Sequence, residues 1–294
     1  ISNLKKLKNV IKKVKPNIIF HFIGQSSVFV GYKDPLDTVN ANVNGTVNLL
    51  EAARSSKTIK SIVIVTSDKV YLNLEKKRKF RETDILGGHE MYGSSKAASD
   101  ILASSYIKSF YKNSKCNVGI ARSGNCIGGG DWTKDRIIKD CAESFIFNKN
   151  INIRSPKASR PWQHVIEPLF GYLKLSEKLF SRKQFSGSWN FGPNIQNNIN
   201  VLSVAKLGKK ILNSKSKIIL TKKNFHEAEH LSLDSSKALQ RLNWKTRLKS
   251  KDAIKMAFDW YSFFYKNRRK DKSKIINYTI NQIKEYKRNF EKFL

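Results

Sequence analysis

Tyr92-Gly93-Ser94-Ser95-Lys96 sets a phenol and an ammonium four residues apart, one helical turn and therefore one helix face. A cation beside a phenol favours the phenolate, so such a pair can draw a proton from an alcohol. Spacing alone is weak: ten tyrosines among 43 lysines in 294 residues produce such pairs by chance, and Tyr111/Lys115 is a second. Small residues between Tyr92 and Lys96 distinguish the first pair, since they let a ligand approach the helix; Tyr111/Lys115 falls at a frayed helix end.

Ser67, Asp68 and Lys69 follow the apolar run Ile62-Val63-Ile64-Val65 and offer a hydroxyl, a carboxylate and an amine in succession. They stand at the carboxyl end of a predicted central strand, where open α/β sheets bind ligands; an ordinary strand-to-loop turn is the plain alternative. Asn125 and Gly128-Gly129-Gly130-Asp131-Trp132 occupy the corresponding place after the next strand. Their glycines do not follow G-x-G-x-x-G, so the stretch reads as a substrate-side loop.

Arg160-Pro161-Trp162-Gln163-His164 combines a phosphate-binding guanidinium with an indole wall, or else a core Trp162 with Arg160 as its surface neighbour. His226-Glu227-Ala228-Glu229-His230 matches H-E-x-x-H, but that chemistry needs a helix, and Leu231-Ser232-Leu233-Asp234 alternates like a strand. No metal is expected there; a chance match or a polar substrate contact is.

The elements that must position these groups follow from apolar spacing. Leu4, Leu7, Val10, Ile11 and Val14 predict an opening helix, and Ile18–Phe22 a buried strand. A helix from Pro35 to about Arg54, a strand at Ile62–Thr66, a helix from about Glu90 to Asn113 and a strand at Asn117–Arg122 come next. Strands alternating with helices of this length predict an α/β fold with a parallel sheet covered on both faces. Beyond about Ile151 the strands shorten (Ile151–Ile153, Ser188–Phe191, Lys217–Leu220, Leu231–Leu233), and a basic, aromatic helical stretch starts near Lys251. The expected division is a catalytic domain over 1–150, a mainly substrate-binding part over 151–262 and a basic helical tail over 263–294.

With 40% apolar residues the chain can bury a core, which excludes a disordered or fibrous class. Lys+Arg number 56 against 23 Asp+Glu, a net +33, of which Arg supplies only 13. Charge of this size raises nucleic acid as a partner. Its spread along every segment reads instead as a solvated basic surface, and neither nucleic acid nor membrane is expected. Three cysteines, Cys116, Cys126 and Cys141, suit reduced thiols in a cytoplasmic protein.

In order, these segments resemble the extended short-chain dehydrogenase/reductase superfamily, and within it the nucleotide-sugar 4,6-dehydratases, the branch acting on CDP-glucose above all. The carrying residues are His21-Phe22-Ile23-Gly24-Gln25-Ser26, Thr66-Ser67-Asp68-Lys69, Tyr92 with Lys96, Arg122-Ser123-Gly124-Asn125 through Trp132, Arg160 through Leu169, Trp189-Asn190-Phe191-Gly192-Pro193, and His226-Glu227-Ala228. Lys69 stands where the dTDP-glucose members carry Glu.

The resemblance implies a Rossmann-type doubly wound sheet holding NAD, with Ile23, Gly24, Gln25, Tyr92 and Lys96 along the cofactor. It implies that Tyr92, helped by Lys96 and Ser67, acts as base at the sugar 4-hydroxyl. Asp68 would be the acid at the 6-hydroxyl, and Lys69 the base at C5. Asn125, Arg160, Asn190 and His226 would face the substrate, and a homodimer would form through the helices at about 35–54 and 90–113. Other readings are a nucleotide-sugar 4-epimerase, a dehydratase for another sugar nucleotide, or a noncatalytic basic scaffold binding polyanions.

The resemblance covers about residues 1–262 and begins at the family's third crossover helix. The family's strands 1–3 with their glycine-rich turn, roughly 60 residues, are therefore expected to lie outside this sequence. On that expectation the first strand here presents an apolar edge, and the chain alone is an inactive or impaired fragment.

Overall fold

The Asn3 side chain accepts the Lys6 amide and starts helix α1 (Leu4–Val14), and Lys15 closes it in the left-handed region at φ 49°. Pro16 and Asn17 then turn the chain into strand β1 (Ile18–His21). The computed structural model describes residues 1–75, 78–193, 199–221, 231–268 and 271–290. They fall into two units that interleave along the chain. The first takes Ile1–Gly124, Phe170–Gly192 and Leu231–Lys245; the second takes Asn125–Leu169, Pro193–His230 and Thr246–Leu294.

In the first unit β1 is followed by α2 (Val28–Lys33), α3 (Pro35–Val39) and α4 (Gly45–Arg54). Strand β2 (Ser61–Val65), α5 (Met91–Tyr106) and β3 (Asn117–Arg122) come next. Helix α6 (Ile166–Ser181), which belongs to this unit from Phe170 on, β4 (Gly187–Asn190) and α7 (Ser236–Leu242) complete it. The sheet order is β1-β2-β3-β4, all parallel, with Phe20 opposite Val63, Val63 opposite Gly119 and Ala121 opposite Trp189.

Alternation along β2 and β3 sends side chains to two separate cores. Ile62, Ile64, Val118 and Ile120 meet Leu50, Ala53, Ala103 and Tyr111 on one face. Val63 and Ala121 meet Tyr172, Leu175, Trp189 and Trp244 on the other. Both faces are covered, as apolar runs without polar alternation require. Among the described residues β1 is an edge, and Phe22 and Ile23 beyond it are 51% and 56% exposed.

Several expectations need correction. The helix expected over 35–54 is α3 and α4 joined by a π turn at Asn40–Asn44, and a second π turn, Ile107–Tyr111, follows α5. Tyr111 is not at a frayed end: it is buried, and its hydroxyl donates to the Leu50 carbonyl at 2.7 Å. The strand expected at Ser188–Phe191 belongs to the main sheet, as β4. Leu231–Leu233 is a single bridge from Leu233 to Phe80, flanked by Phe80 N–H to Ser232 O and Asp234 N–H to Phe80 O, both 2.8 Å. The apolar alternation there marks one buried face, with Leu231 and Leu233 packed on Tyr71 and Phe80, rather than a ladder.

The second unit joins short strand pairs to helices. Ile151–Ile153 pairs with Ile218–Leu220, Cys126–Ile127 with Gln163–His164, and Ser159–Arg160 with Ile199–Asn200. Helices Ile137–Ile146, Val201–Ile211 and Ser250–Asn267 enclose a core around Phe145, Val204, Phe258 and Tyr261. The expected basic tail is folded. Helix Lys272–Phe290 stacks Tyr278 on Phe263 with centroids 4.1 Å apart, and the buried Tyr286 hydroxyl donates to Glu167 at 2.9 Å.

Candidate active site

Glu90 is the N-cap of α5, its carboxylate accepting the amides of Tyr92 at 2.8 Å and Gly93 at 3.0 Å. This places Tyr92 in the first turn and Lys96 one turn on, both buried. Gly88 lets the preceding loop lie on the helix: a Cβ there would stand 2.2 Å from the Ser94 nitrogen, and the Ser94 hydroxyl donates to the Gly88 carbonyl. Burial pushes the Lys96 ammonium down to about 8. It also lowers His21 to about 4, with the Lys96 charge as the next cause, so His21 is neutral at physiological pH.

Asn42, in the first π turn, organises this cluster. Its amide donates to the Gln25 carbonyl at 3.0 Å and the Ser95 hydroxyl at 2.8 Å. Its backbone carbonyl accepts the Thr46 and Ser99 hydroxyls at 2.7 and 2.8 Å. The buried Asn42 Oδ1 has no hydrogen-bond partner. A Cβ on Gly24 would lie 2.5 Å from Asn42 Oδ1 and 2.8 Å from Lys96 Nζ, so a bare backbone, an orphan acceptor and a buried cation converge at one point. Such a cradle fits a polar ligand with hydroxyl and carbonyl groups, as NAD has. The sequence reading missed Asn42; the available signal was Asn-Ala-Asn-Val-Asn-Gly, a run of poor helix formers inside an apolar helix.

Just past β2, Ser67 is the N-cap of a short 3₁₀ turn, Asp68–Val70, that carries Asp68 and Lys69. The Ser67 hydroxyl accepts the Lys69 amide at 3.2 Å and donates to Asp68 Oδ1 at 3.1 Å. Asp68 N–H bonds the Ser123 carbonyl at 3.1 Å, which prolongs the β2–β3 pairing past the strand ends. Asp68 is buried against Gly124, and Lys69 is half-buried. The turn meets the start of α5 at Gly93, where a Cβ would come within 3.0 Å of the Lys69 carbonyl. Ser67, Asp68, Lys69, Tyr92, Lys96, Gly24 and Gln25 therefore lie in one unit at the carboxyl ends of parallel strands.

Asn190 lies at the end of β4. Its side chain is 0% exposed, accepts the Tyr71 hydroxyl at 2.7 Å and donates to the Phe80 and Asp234 carbonyls at 2.9 and 3.2 Å. Both ends of the amide are thus engaged within the scaffold. In the second unit Asn125, in the left-handed region at φ 50°, and Arg160 line one cavity of about 220 Å³ with Arg136, Arg154 and Trp162. Arg160 is buried, not a surface neighbour of Trp162. His164 on the adjoining strand is buried with its Nε2 unpartnered, and burial lowers it to about 4. His226 lies outside the described residues.

A doubly covered parallel sheet with a buried Tyr-x-x-x-Lys pair at its carboxyl ends defines a Rossmann-type enzyme of the short-chain dehydrogenase/reductase class. A sequence profile of the GDP-mannose 4,6 dehydratase family matches residues 1–257. The CDP-glucose 4,6-dehydratase of Salmonella typhimurium is 38% identical over 268 residues, covering 89% of this chain and 75% of that protein.

Among solved structures, the dTDP-glucose 4,6-dehydratase DesIV of Streptomyces venezuelae, a double mutant with NAD bound, is similar at a TM-score of 0.74 and 18% identity. That match covers 91% of this chain and 78% of that one. A UDP-glucose 4-epimerase of Thermotoga maritima is similar at 0.77 and 15% identity, covering 89% and 82%. The chain belongs to the NAD-dependent nucleotide-sugar 4,6-dehydratase family.

Proposed function

We propose that the protein converts CDP-glucose to CDP-4-keto-6-deoxyglucose, using NAD held along Ile23, Gly24 and Gln25 and against Tyr92 and Lys96. The observation that carries this reading is the buried Tyr92/Lys96 pair on α5 in contact, through Gly93, with the Ser67-Asp68-Lys69 turn. The choice of CDP-glucose is supported by the Salmonella relative and by Lys69.

NAD, when bound, supplies the hydride acceptor at C4 and returns that hydride at C6. Tyr92 removes the proton of the sugar 4-hydroxyl, and the neighbouring Lys96 cation favours the phenolate it needs. Ser67 orients that hydroxyl. The resulting 4-ketone acidifies C5–H; Lys69 takes that proton while Asp68 gives one to O6, which leaves as water. Lys69 hands its proton back to C5 as C6 is reduced. The proton gained by Tyr92 balances the one Asp68 lost, so the cycle closes with one water released.

Asn125 and Arg160 bind the nucleotide diphosphate in the second unit's cavity, Arg160 by its guanidinium fork; His226 keeps its proposed substrate role. A homodimer through α3–α4 and α5 is supported by Ile101 on α5 and Phe110 in the π turn after it, both of which expose large apolar surface. Side-by-side assay of CDP-, dTDP- and GDP-sugars tests the choice: turnover of CDP-glucose alone is expected, and preference for another nucleotide would overturn it.

A further inference from the structure

Asp100 lies on α5, one turn beyond Lys96 and two beyond Tyr92, and is 0% exposed. Its carboxylate takes the Arg122 fork at both oxygens, Nε to Oδ2 and Nη2 to Oδ1, each 2.7 Å. Oδ2 also accepts the Thr66 hydroxyl at 3.2 Å. Thr66 is the residue immediately before Ser67-Asp68-Lys69.

From its other side the same guanidinium donates to the Tyr71 hydroxyl at 2.8 Å, two residues after Lys69. It also reaches the Glu82 carbonyl at 3.1 Å and the Ser188 hydroxyl on β4 at 2.9 Å. One buried ion pair thus grips the base-bearing helix and both flanks of the acid-bearing turn. A buried pair of this kind is a poor source of stability but an effective source of fixed geometry when every donor is engaged, as here.

We propose that Asp100 and Arg122 are positioning residues that set the separation between Tyr92/Lys96, which serve C4 oxidation, and Asp68/Lys69, which serve water elimination. The inference rests on the dehydratase reading. Neither residue reaches the substrate. Each acts by fixing where α5 stands relative to the turn, so loosening the pair disturbs the second step more than the first. Oxidation takes its base and cation from α5 and only the orienting Ser67 hydroxyl from the turn; elimination takes both its acid and its base from the turn while the sugar is held by α5.

The test compares the wild type with Asp100→Asn and Thr66→Val under single turnover. It follows reduced cofactor by absorbance and released product by mass spectrometry. Wild-type turnover of CDP-glucose tests the underlying reading by itself. Asp100→Asn is expected to slow product formation at least tenfold while the oxidation rate changes less than threefold, so reduced cofactor accumulates transiently. Thr66→Val cuts only the link to the turn; it is expected to shift the ratio of the two steps in the same direction by about threefold. It should also raise amide exchange at residues 67–70. A merely structural role predicts equal loss of both steps with less folded protein. An unchanged step ratio in Thr66→Val overturns the proposal, including when Asp100→Asn fails to fold.

Discussion

The bare Cα of Gly124 stands against the Asp68 carboxylate so closely that a Cβ there would lie 1.7 Å from Oδ2. Gly124 has an ordinary backbone conformation, so it is the carboxylate, not the turn, that demands glycine.

Gly124→Ala should therefore drive Asp68 from its place. Elimination is expected to fall a hundredfold or more while C4 oxidation is retained, with stability reduced by about 1–3 kcal/mol for the overpacking. Single-turnover kinetics with separate detection of reduced cofactor and product checks it; equal loss of both steps would contradict the assignment of Asp68 to the second.

Lys96 makes folding pH-dependent. Its ordinary value of 10.5 is held near 8 by burial, so between those values the unfolded chain binds the extra proton. The charge penalty is full below about pH 8 and fades as pH rises to 10.5. Without NAD, Lys96→Met should stabilise the protein at pH 7 by about 3 kcal/mol and by almost nothing above pH 10.5. Denaturant midpoints across that range measure it, and a pH-independent difference would refute it.

His164 works at the acid end. Burial keeps it neutral down to about pH 4 against 6.5 when exposed, so stability is lost as pH falls from 6.5 towards 4. His21 adds the same sign for the same primary cause. His164→Gln should flatten the loss by up to about 1.4 kcal/mol per pH unit. Thermal melts at pH 7, 6, 5 and 4.5 read the slope directly, and parallel curves for the two proteins would count against a buried neutral imidazole.

Asn190 separates scaffold from substrate contact. Asn190→Ala leaves the Phe80 and Asp234 carbonyls and the Tyr71 hydroxyl short of a partner, a loss of about 2–4 kcal/mol in stability. Substrate KM in the remaining folded enzyme should stay within about twofold. A large rise in KM with unchanged stability would restore the substrate-facing role.

Much of the first unit was legible because its elements are long and periodic: Ile62 to Val65 and Asn117 to Arg122 read as buried strands, and both are. Tyr92 and Lys96 were legible because helix geometry forces residues four apart onto one face. Asn42 was not, since the π turn that aims it arises from packing against Ser95 and Ser99 on another helix. Asn190 entered the site by resemblance alone, and its partners Tyr71, Phe80 and Asp234 lie so far away in sequence that nothing near it foretold that both ends of its amide are engaged. The terminal basic stretch carries many charges, yet Tyr278 and Tyr286 pin it down through contacts that composition does not reveal.

The most direct test of the central claim follows one atom. The protein is incubated with NAD and CDP-glucose deuterated at C4, and the product is analysed by mass spectrometry and NMR. The account predicts a sugar nucleotide lighter by one water, with deuterium moved to C6 and no formation in Tyr92→Phe. Deuterium retained at C4 in an epimer, or turnover undiminished in Tyr92→Phe, would contradict it.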